Sequence, residues 1–267
     1  MSVEGVAIAT VASQVVSCIM IMYCLIKTKE SYHFSFKDLK ISRKELIGML
    51  KIGLPAGIQS SLFSISNVLI QSSINKFGGA VMNGNTAANS LDGFVYTGMN
   101  SVYHASIAFT SQNVAANKKE NLRKVLLYAL LLVFIIGILL GGGFYIFGNT
   151  LLKIYTQDPF EIKVAYLKMT YLCLPYFLFG MMDVVSGSIR GMGKSLVPMI
   201  TSIIGICVVR VLWIYLVFNP NTNFTDYKDL SILFISYPIS WIATLVANLI
   251  TYIIVSKKVK QKMCTVN

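Results

Sequence analysis

Two carboxylates lie well inside long apolar stretches of this 267-residue sequence, Asp92 and Asp183. Asp183 directly follows the apolar and aromatic run of residues 176–182. A carboxylate in such surroundings is costly unless it holds a proton or pairs with a cation. Asp183 is therefore a candidate for ion coupling, because its charge could follow a bound ion. The alternative is a structural ion pair with Arg190 or Arg210.

A row of polar residues recurs every three or four positions around Asp92. Its members are Asn85, Asn89, Asp92, Tyr96, Asn100 and His104. This spacing predicts one polar face along a helix, and lipid would leave these groups without hydrogen-bond partners. The face could line a cavity, with Asp92 and His104 as candidates for handling protons or cations. It could also supply hydrogen bonds between neighbouring helices.

The composition identifies the environment of these residues. The sequence is 55% hydrophobic and only 13% charged, with a mean hydropathy of +0.67. Soluble domains carry roughly 25% charged residues, so a soluble enzyme and a disordered chain are both excluded. We expect an all-α, polytopic bundle of about seven transmembrane helices, because each crossing needs about 20 apolar residues. The predicted spans are Val3–Ile26, Ile52–Ile74, Ala87–Ala108, Val125–Phe147, Val164–Val185, Leu196–Phe218 and Leu230–Val255. The fourth is apolar enough to face lipid all round.

Basic residues are distributed unevenly between the connecting segments. The chain has 23 Lys and Arg against 11 Asp and Glu. Segments 27–51, 118–124, 190–194 and 257–262 hold 17 of the basic residues, and the alternate connectors hold five. The positive-inside rule then predicts an external amino terminus and a cytoplasmic carboxyl terminus. An excess of positive charge in such a chain indicates contact with anionic lipid, and no nucleic-acid partner is expected.

Several short motifs occur in a recognisable order. They are Gly53-Leu54-Pro55, the Asn-rich segment 84–90, Phe109-Thr110-Ser111-Gln112-Asn113, and Arg190-Gly191-Met192-Gly193-Lys194-Ser195 followed by Pro198. Together they resemble the carboxyl-terminal lobe of bacterial multidrug and toxic compound extrusion (MATE) transporters. The resemblance implies twelve helices in two six-helix lobes around a drug cavity, in the bacterial plasma membrane. It also implies antiport of organic cations against sodium ions or protons, with no enzymatic activity, no cofactor and no metal beyond a transported sodium ion.

The resemblance also implies a division of the chain. Residues 1–27 would be the last helix of an amino-terminal lobe, and 28–51 a cytoplasmic linker with an amphipathic helix over 37–51. Residues 52–256 would form the six-helix lobe, and 257–267 a basic cytoplasmic tail. A missing amino-terminal lobe would then be a partner, beside the bilayer, the organic cation and the coupling ion.

The chain departs from the family at its familiar ion site. Relatives carry carboxylates at positions that fall near Phe63 and Phe179, whereas Asp183 lies one turn beyond Phe179 on the same helix face. Gln59 and Asn67 are the polar residues nearest Phe63. We therefore expect Gln59, Asn67 and Phe179 to line the cavity, and Arg190 and Arg210 are candidates for structural ion pairs.

Three alternatives remain open at this point. A lipid-linked oligosaccharide flippase of the same superfamily would require a basic cavity, for which Arg210 and Arg190 are the available groups. A seven-helix receptor or sensor would share the predicted topology. A truncated remnant would not transport.

Overall fold

The computed structural model describes residues 3–29, 33–36, 40–218 and 227–265, and every regular element among them is helical. The prediction of an all-α bundle is confirmed. The chain divides into two compact units, residues 1–48 and 49–267. In the first unit, helix α1 (Val3–Lys27) is apolar along its length and its described side chains are largely exposed. A helix that is apolar all round is expected in lipid.

Helix α2 (Arg43–Asn75) is longer than the sequence suggested. From Arg43 onward the segment 37–51, predicted to be an amphipathic surface helix, is helical and continuous with the rest of α2. Residues 37–39 lie outside the described part of the chain. Pro55 lies inside this helix and removes one backbone donor, but a long helix in apolar surroundings tolerates this loss.

Length and composition qualify five of the predicted spans as membrane helices among the described residues, and a bent pair makes a sixth. The third predicted span is not among them. It forms α3 (Gly79–Ala115), whose 37 residues would extend about 55 Å. Its polar face lowers its apolarity, so the seven predicted spans comprise five apolar helices, one bent pair and one polar helix.

Helix α4 (Asn121–Ile146) is apolar enough to face lipid all round, but the structure buries part of it. One face is buried, with members at steps of three and four: Leu122, Leu126, Ala129, Val133, Gly137 and Gly141. The two glycines form a small-xxx-small pair, which allows two helix backbones to approach closely. A Cβ atom at Gly137 would lie 2.7 Å from Cβ of Phe177, and one at Gly141 would collide with the backbone oxygen of Cys173.

The fifth predicted span is two helices joined by a break. A short helix α5 (Gly148–Leu152) precedes α6 (Pro159–Leu172), whose first turn is capped by the Asp158 carboxylate accepting from the Phe160 amide at 2.7 Å. Helix α7 (Tyr176–Gly191) follows at an angle of 47°. Pro175 lies in the break, where its missing N–H interrupts the ladder of backbone hydrogen bonds.

The last two spans complete the bundle. Helices α8 (Leu196–Ser202) and α9 (Val209–Trp213) are each followed by a wider π-helical segment, Ile203–Val208 and Ile214–Phe218 respectively. Helices α10 (Leu230–Phe234) and α11 (Ser236–Thr265) follow a single 3₁₀ turn. The predicted tail from residue 257 is therefore a continuation of α11 as far as it is described. The core lies where α3, α4, α7 and α11 meet, around Val95, Val133 and Val184.

Candidate functional site

A cavity of about 590 Å³ opens inside the second unit. Its walls come from α2, α3, α6, α7, α9 with the π segment before it, and α11. Most of its lining is polar or aromatic, in contrast to the apolar core beside it. A concave site with a few convergent polar groups is the usual form of a ligand-binding site.

Five members of the predicted polar face of α3 line this cavity: Asn85, Asn89, Asp92, Tyr96 and Asn100. His104 does not, and its side chain is exposed outside the cavity. The reason is geometric. A step of four residues is longer than one helical turn of 3.6 residues. Repeated steps of four therefore place His104 about 100° around the helix axis from Asn85. Tyr103, five full turns from Asn85, takes the place on the cavity wall.

Asp92 is paired with a cation that the sequence analysis did not single out. Lys168 Nζ lies 3.8 Å from Asp92 Oδ2, and Lys168 also donates a hydrogen bond to the side-chain oxygen of Asn89. Cys173 Sγ donates to Asp92 Oδ1 at 3.3 Å. Asp92 and Lys168 are 7% and 2% exposed. This pair neutralises the charge of Asp92 within the bundle.

Asp183 lines the cavity from α7 without a comparable partner. Among the described residues it has no hydrogen bond from a side chain and no cation within ion-pair distance. Neither Arg190 nor Arg210, the two structural partners considered for Asp183, lies within ion-pair distance of it. Of the two carboxylates that the described residues contribute to the cavity wall, Asp183 is the one without an ion-pair partner.

Arg190 lies seven residues from Asp183, on the same face of α7. Its Nη1 atom donates to Tyr103 Oη at 2.6 Å, and its Nη2 atom donates to Gln59 Oε1. Both acceptors are neutral. The neighbouring residues of the motif are structural: Gly191 packs against Ile107 of α3, and Gly193 ends the helix with a φ of +77°.

Arg210 also binds only neutral groups. Its Nε atom donates to Ser240 Oγ at 3.1 Å, and its Nη1 atom donates to Asn67 Oδ1 at 3.2 Å. The guanidinium carbon lies 4.2 Å from the ring centroid of Tyr237, a cation–π contact. The short helix α9, which carries Arg210, lies between two π-helical segments in sequence, and such segments are frequent at functional sites.

Three amide side chains connect α2 to the far wall of the cavity. Gln59 accepts from Arg190 of α7, and Asn67 accepts from Arg210 of α9. Gln71 Oε1 accepts from Asn85 Nδ2 of α3 at 2.8 Å. Ile70 and Ile74 of α2 also pack in the apolar core. The three hydrogen bonds are the contacts of α2 that a ligand or water could replace.

Aromatic rings cover the wall at the position where relatives were expected to carry an ion ligand. Phe179 contacts Tyr96, Tyr176 and Trp241, with ring centroids 5.9, 5.5 and 5.6 Å apart. Tyr237 lies 6.0 Å from Trp241. This aromatic wall (Tyr96, Tyr176, Phe179, Tyr237 and Trp241) offers flat apolar area close to the charged groups.

Sequence reasoning missed Lys168, Gln71, Tyr103, Tyr237 and Trp241. Lys168 was detectable, because a lysine inside the predicted span Val164–Val185 requires a partner. Tyr103 was detectable, because it lies five full helical turns from Asn85 and therefore on the same face of α3. Tyr237 and Trp241 carried no signal, because they lie in an apolar helix whose sequence does not tell a lipid-facing side from an interior one.

Comparison with known proteins places this geometry in context. A family model described as MatE matches residues 55–216. The "Probable multidrug resistance protein YoeA" of Bacillus subtilis (strain 168) is 27% identical over 214 residues, covering 79% of this chain and 46% of the relative. The "Probable multidrug resistance protein NorM" of Thermotoga maritima is 23% identical and is covered to 45%. The chain thus spans about half the length of the curated relatives that it matches.

The fold is also similar to solved structures. A structure described as "Crystal structure of MATE in complex with MaL6" superimposes with a TM-score of 0.79 at 20% identity. The likeness covers 98% of this chain and 57% of that one. At this identity the comparison supports the arrangement of helices, and the arrangement of the site must be read from this chain's own residues.

Proposed function

Since this chain belongs to the MatE family of membrane transporters, we propose that it acts in secondary active multidrug efflux in a bacterial plasma membrane. The observation that carries the proposal is the cavity of the second unit, whose wall holds the unpaired carboxylate of Asp183. The cavity combines that charge with the aromatic wall. A pocket of this kind accommodates amphiphilic molecules of varied shape.

Asp183 supports a simple form of ion coupling. A proton or a sodium ion bound to its carboxylate neutralises the site, and an organic cation requires the same carboxylate to be free. The two ligands then exclude each other, so that binding of one favours release of the other. Organic cations exchanged against sodium ions or protons, as the family resemblance implies, are therefore the first substrates to test.

We further propose that a second lobe completes the cavity. The support is the partial coverage of the relatives and the polar contacts that hold α2 beside an open cavity. In transporters built from repeated bundles, two such units rock against each other around a central site. Residues 1–267 expressed without a complementary lobe are then expected to confer no drug resistance, as a truncated remnant would.

The rival functions differ in what they require. A seven-helix receptor would not account for membership of a transporter family. A lipid-linked oligosaccharide flippase is the second candidate, because three cationic side chains, Lys168, Arg190 and Arg210, line the cavity and phosphate groups bind such residues.

The test is transport in liposomes. The chain, co-expressed with a complementary lobe, should export ethidium only when a sodium or proton gradient is imposed. Collapse of the gradient should stop export. Movement of a lipid-linked oligosaccharide, with no ethidium export under any gradient, would favour the flippase and contradict the proposal.

A further inference from the structure

The acidic and basic side chains of the cavity do not balance. Asp92, Asp183, Lys168, Arg190 and Arg210 are the acidic and basic residues of its wall. Asp92 and Lys168 neutralise each other. Two guanidinium groups and one carboxylate remain, and neither guanidinium has a carboxylate within ion-pair distance among the residues described. The unpaired charge of the cavity is therefore predominantly positive.

Arg210 is the more deeply enclosed of the two guanidinium groups, with 5% of the residue exposed. It uses Nε and Nη1 for Ser240 and Asn67. Its Nη2 group has no acceptor within the described part of the chain. A guanidinium group offers five donors in a planar fork. Arg210 thus presents unused donors to a cavity that is open to ligands.

A guanidinium group shielded from water binds an anion more strongly than a neutral acceptor. Its planar fork matches the two oxygens of a carboxylate or the oxygens of a phosphate. Ser240 and Asn67 hold the Arg210 side chain in place from two directions, so little ordering is needed when a ligand binds. The neutral partners leave the positive charge uncompensated, and an anionic ligand would compensate it.

The groups beside Arg210 indicate what the anion should be attached to. Tyr237 lies against the guanidinium group, and Trp241 lies beside Tyr237 within the aromatic wall. A ligand whose acidic group reaches Arg210 would therefore place its body against aromatic rings. We propose that Arg210 forms an anion-binding subsite, and that the cavity binds aromatic organic anions in addition to the cations attracted by Asp183.

This inference rests on the proposed transport function for its physiological meaning, but its test measures binding alone. The purified full chain in detergent is dialysed to equilibrium against 2-naphthoate or 2-naphthamide, with empty micelles as the blank. The two probes share one ring system and differ in the charge of one group. Naphthoate should bind about tenfold more tightly than naphthamide, the ratio typical of a hydrogen bond to a charged group.

Two variants assign the effect to Arg210. Arg210→Gln should remove the preference for naphthoate. Asn67→Asp is nearly isosteric and places a carboxylate where Arg210 already donates at 3.2 Å, so it should also remove the preference while keeping the guanidinium paired. Arg123→Gln, which removes an exposed arginine from α4, is the matched control and should leave the preference intact.

The outcomes separate the two proposals. Equal affinity of the wild type for both probes would overturn the anion subsite, as would a naphthoate preference that survives in Arg210→Gln and Asn67→Asp. Naphthoate binding without gradient-driven export of any dye would contradict the transport proposal alone. Repeating the dialysis in nanodiscs with added phosphatidylglycerol identifies the source of the natural anion. Displacement of naphthoate indicates a lipid headgroup, and undisturbed binding indicates a soluble molecule; both support the subsite.

Discussion

The ammonium group of Lys168 lies 3.8 Å from the carboxylate of Asp92, between α3 and α6, where both residues are almost completely buried. Each charge is acceptable there only because of the other. Removing one partner of a buried ion pair leaves the other charge buried and unpaired. This destabilises the protein far more than removing both partners together.

Lys168→Met is expected to lower the free energy of unfolding by about 3–5 kcal/mol, because it leaves the Asp92 carboxylate buried without its cation. The measurement is thermal unfolding of the purified protein in detergent. Adding Asp92→Asn should recover most of the loss. Lys163→Met, at an exposed position of the same helix, should change the unfolding temperature little. Equal effects of Lys168→Met and Lys163→Met would show that the pair contributes nothing to stability.

Asp183→Asn is expected to leave the protein folded but to uncouple transport from the ion gradient. Arg190 and Arg210 donate to neutral acceptors, so neither loses a hydrogen-bond partner when Asp183 loses its charge. Export of ethidium from liposomes, with and without a gradient, gives the coupling. Glu120→Gln, at an exposed position, is the control and should behave as the wild type.

A structural role for Asp183 would give a different pattern. The asparagine variant would then lose thermal stability, and a second substitution of Arg190 or Arg210 would recover it. Gradient-driven export by a stable Asp183→Asn protein would exclude both roles.

Gly141→Ala and Gly142→Ala should act in opposite directions, although the two glycines are adjacent. A Cβ atom at Gly141 collides with the backbone oxygen of Cys173, whereas one at Gly142 meets no atom within 4 Å. Gly142→Ala should therefore stabilise α4 by about 0.5–1 kcal/mol through helix propensity. Gly141→Ala should destabilise the protein, because backbone atoms cannot move aside as side chains can. Similar unfolding temperatures for the two variants would contradict the close approach of α4 to the backbone at Cys173.

Topology can be tested by cysteine labelling in a cysteine-free background. Cysteine at exposed position Lys76 should react with an impermeant thiol reagent added outside intact cells. Cysteines at Lys118 and Lys258, also exposed, should react only after the membrane is opened. This follows from the concentration of basic residues in the connectors that contain the last two positions. The reverse pattern would overturn the predicted orientation.

Much of the architecture was readable from the sequence, because apolar length is a strong signal in a membrane protein. The break at Pro175 and the burial of one face of α4 were not predicted. The buried face of α4 was indicated by the spacing of Gly137 and Gly141, but the uniform hydrophobicity of the helix obscured this pattern. A lipid-facing helix and one packed on its neighbours can have the same composition, since lipid is as apolar as a protein core.

The cavity was predictable only where polarity interrupts apolar sequence. The spacing of polar residues along α3 placed Asn85 to Asn100 of this face on the cavity wall. His104 was also assigned to the wall, because counting steps of three and four residues did not follow the rotation of the helix. The partners of charged residues were the least predictable feature. Lys168 and Asp92 are 76 positions apart in sequence, and nothing local indicates that α6 packs against α3.

The break around Pro175 joins two rigid helical rods, α6 with Lys168 and α7 with Asp183. The series of helical backbone hydrogen bonds is interrupted between the two rods. The angle between the rods is therefore set by the surrounding helices. A change in that angle would alter the distance between the Asp92–Lys168 pair and the Asp183 carboxylate without unwinding either rod. The joint therefore makes the electrostatic potential at Asp183 depend on the angle between α6 and α7.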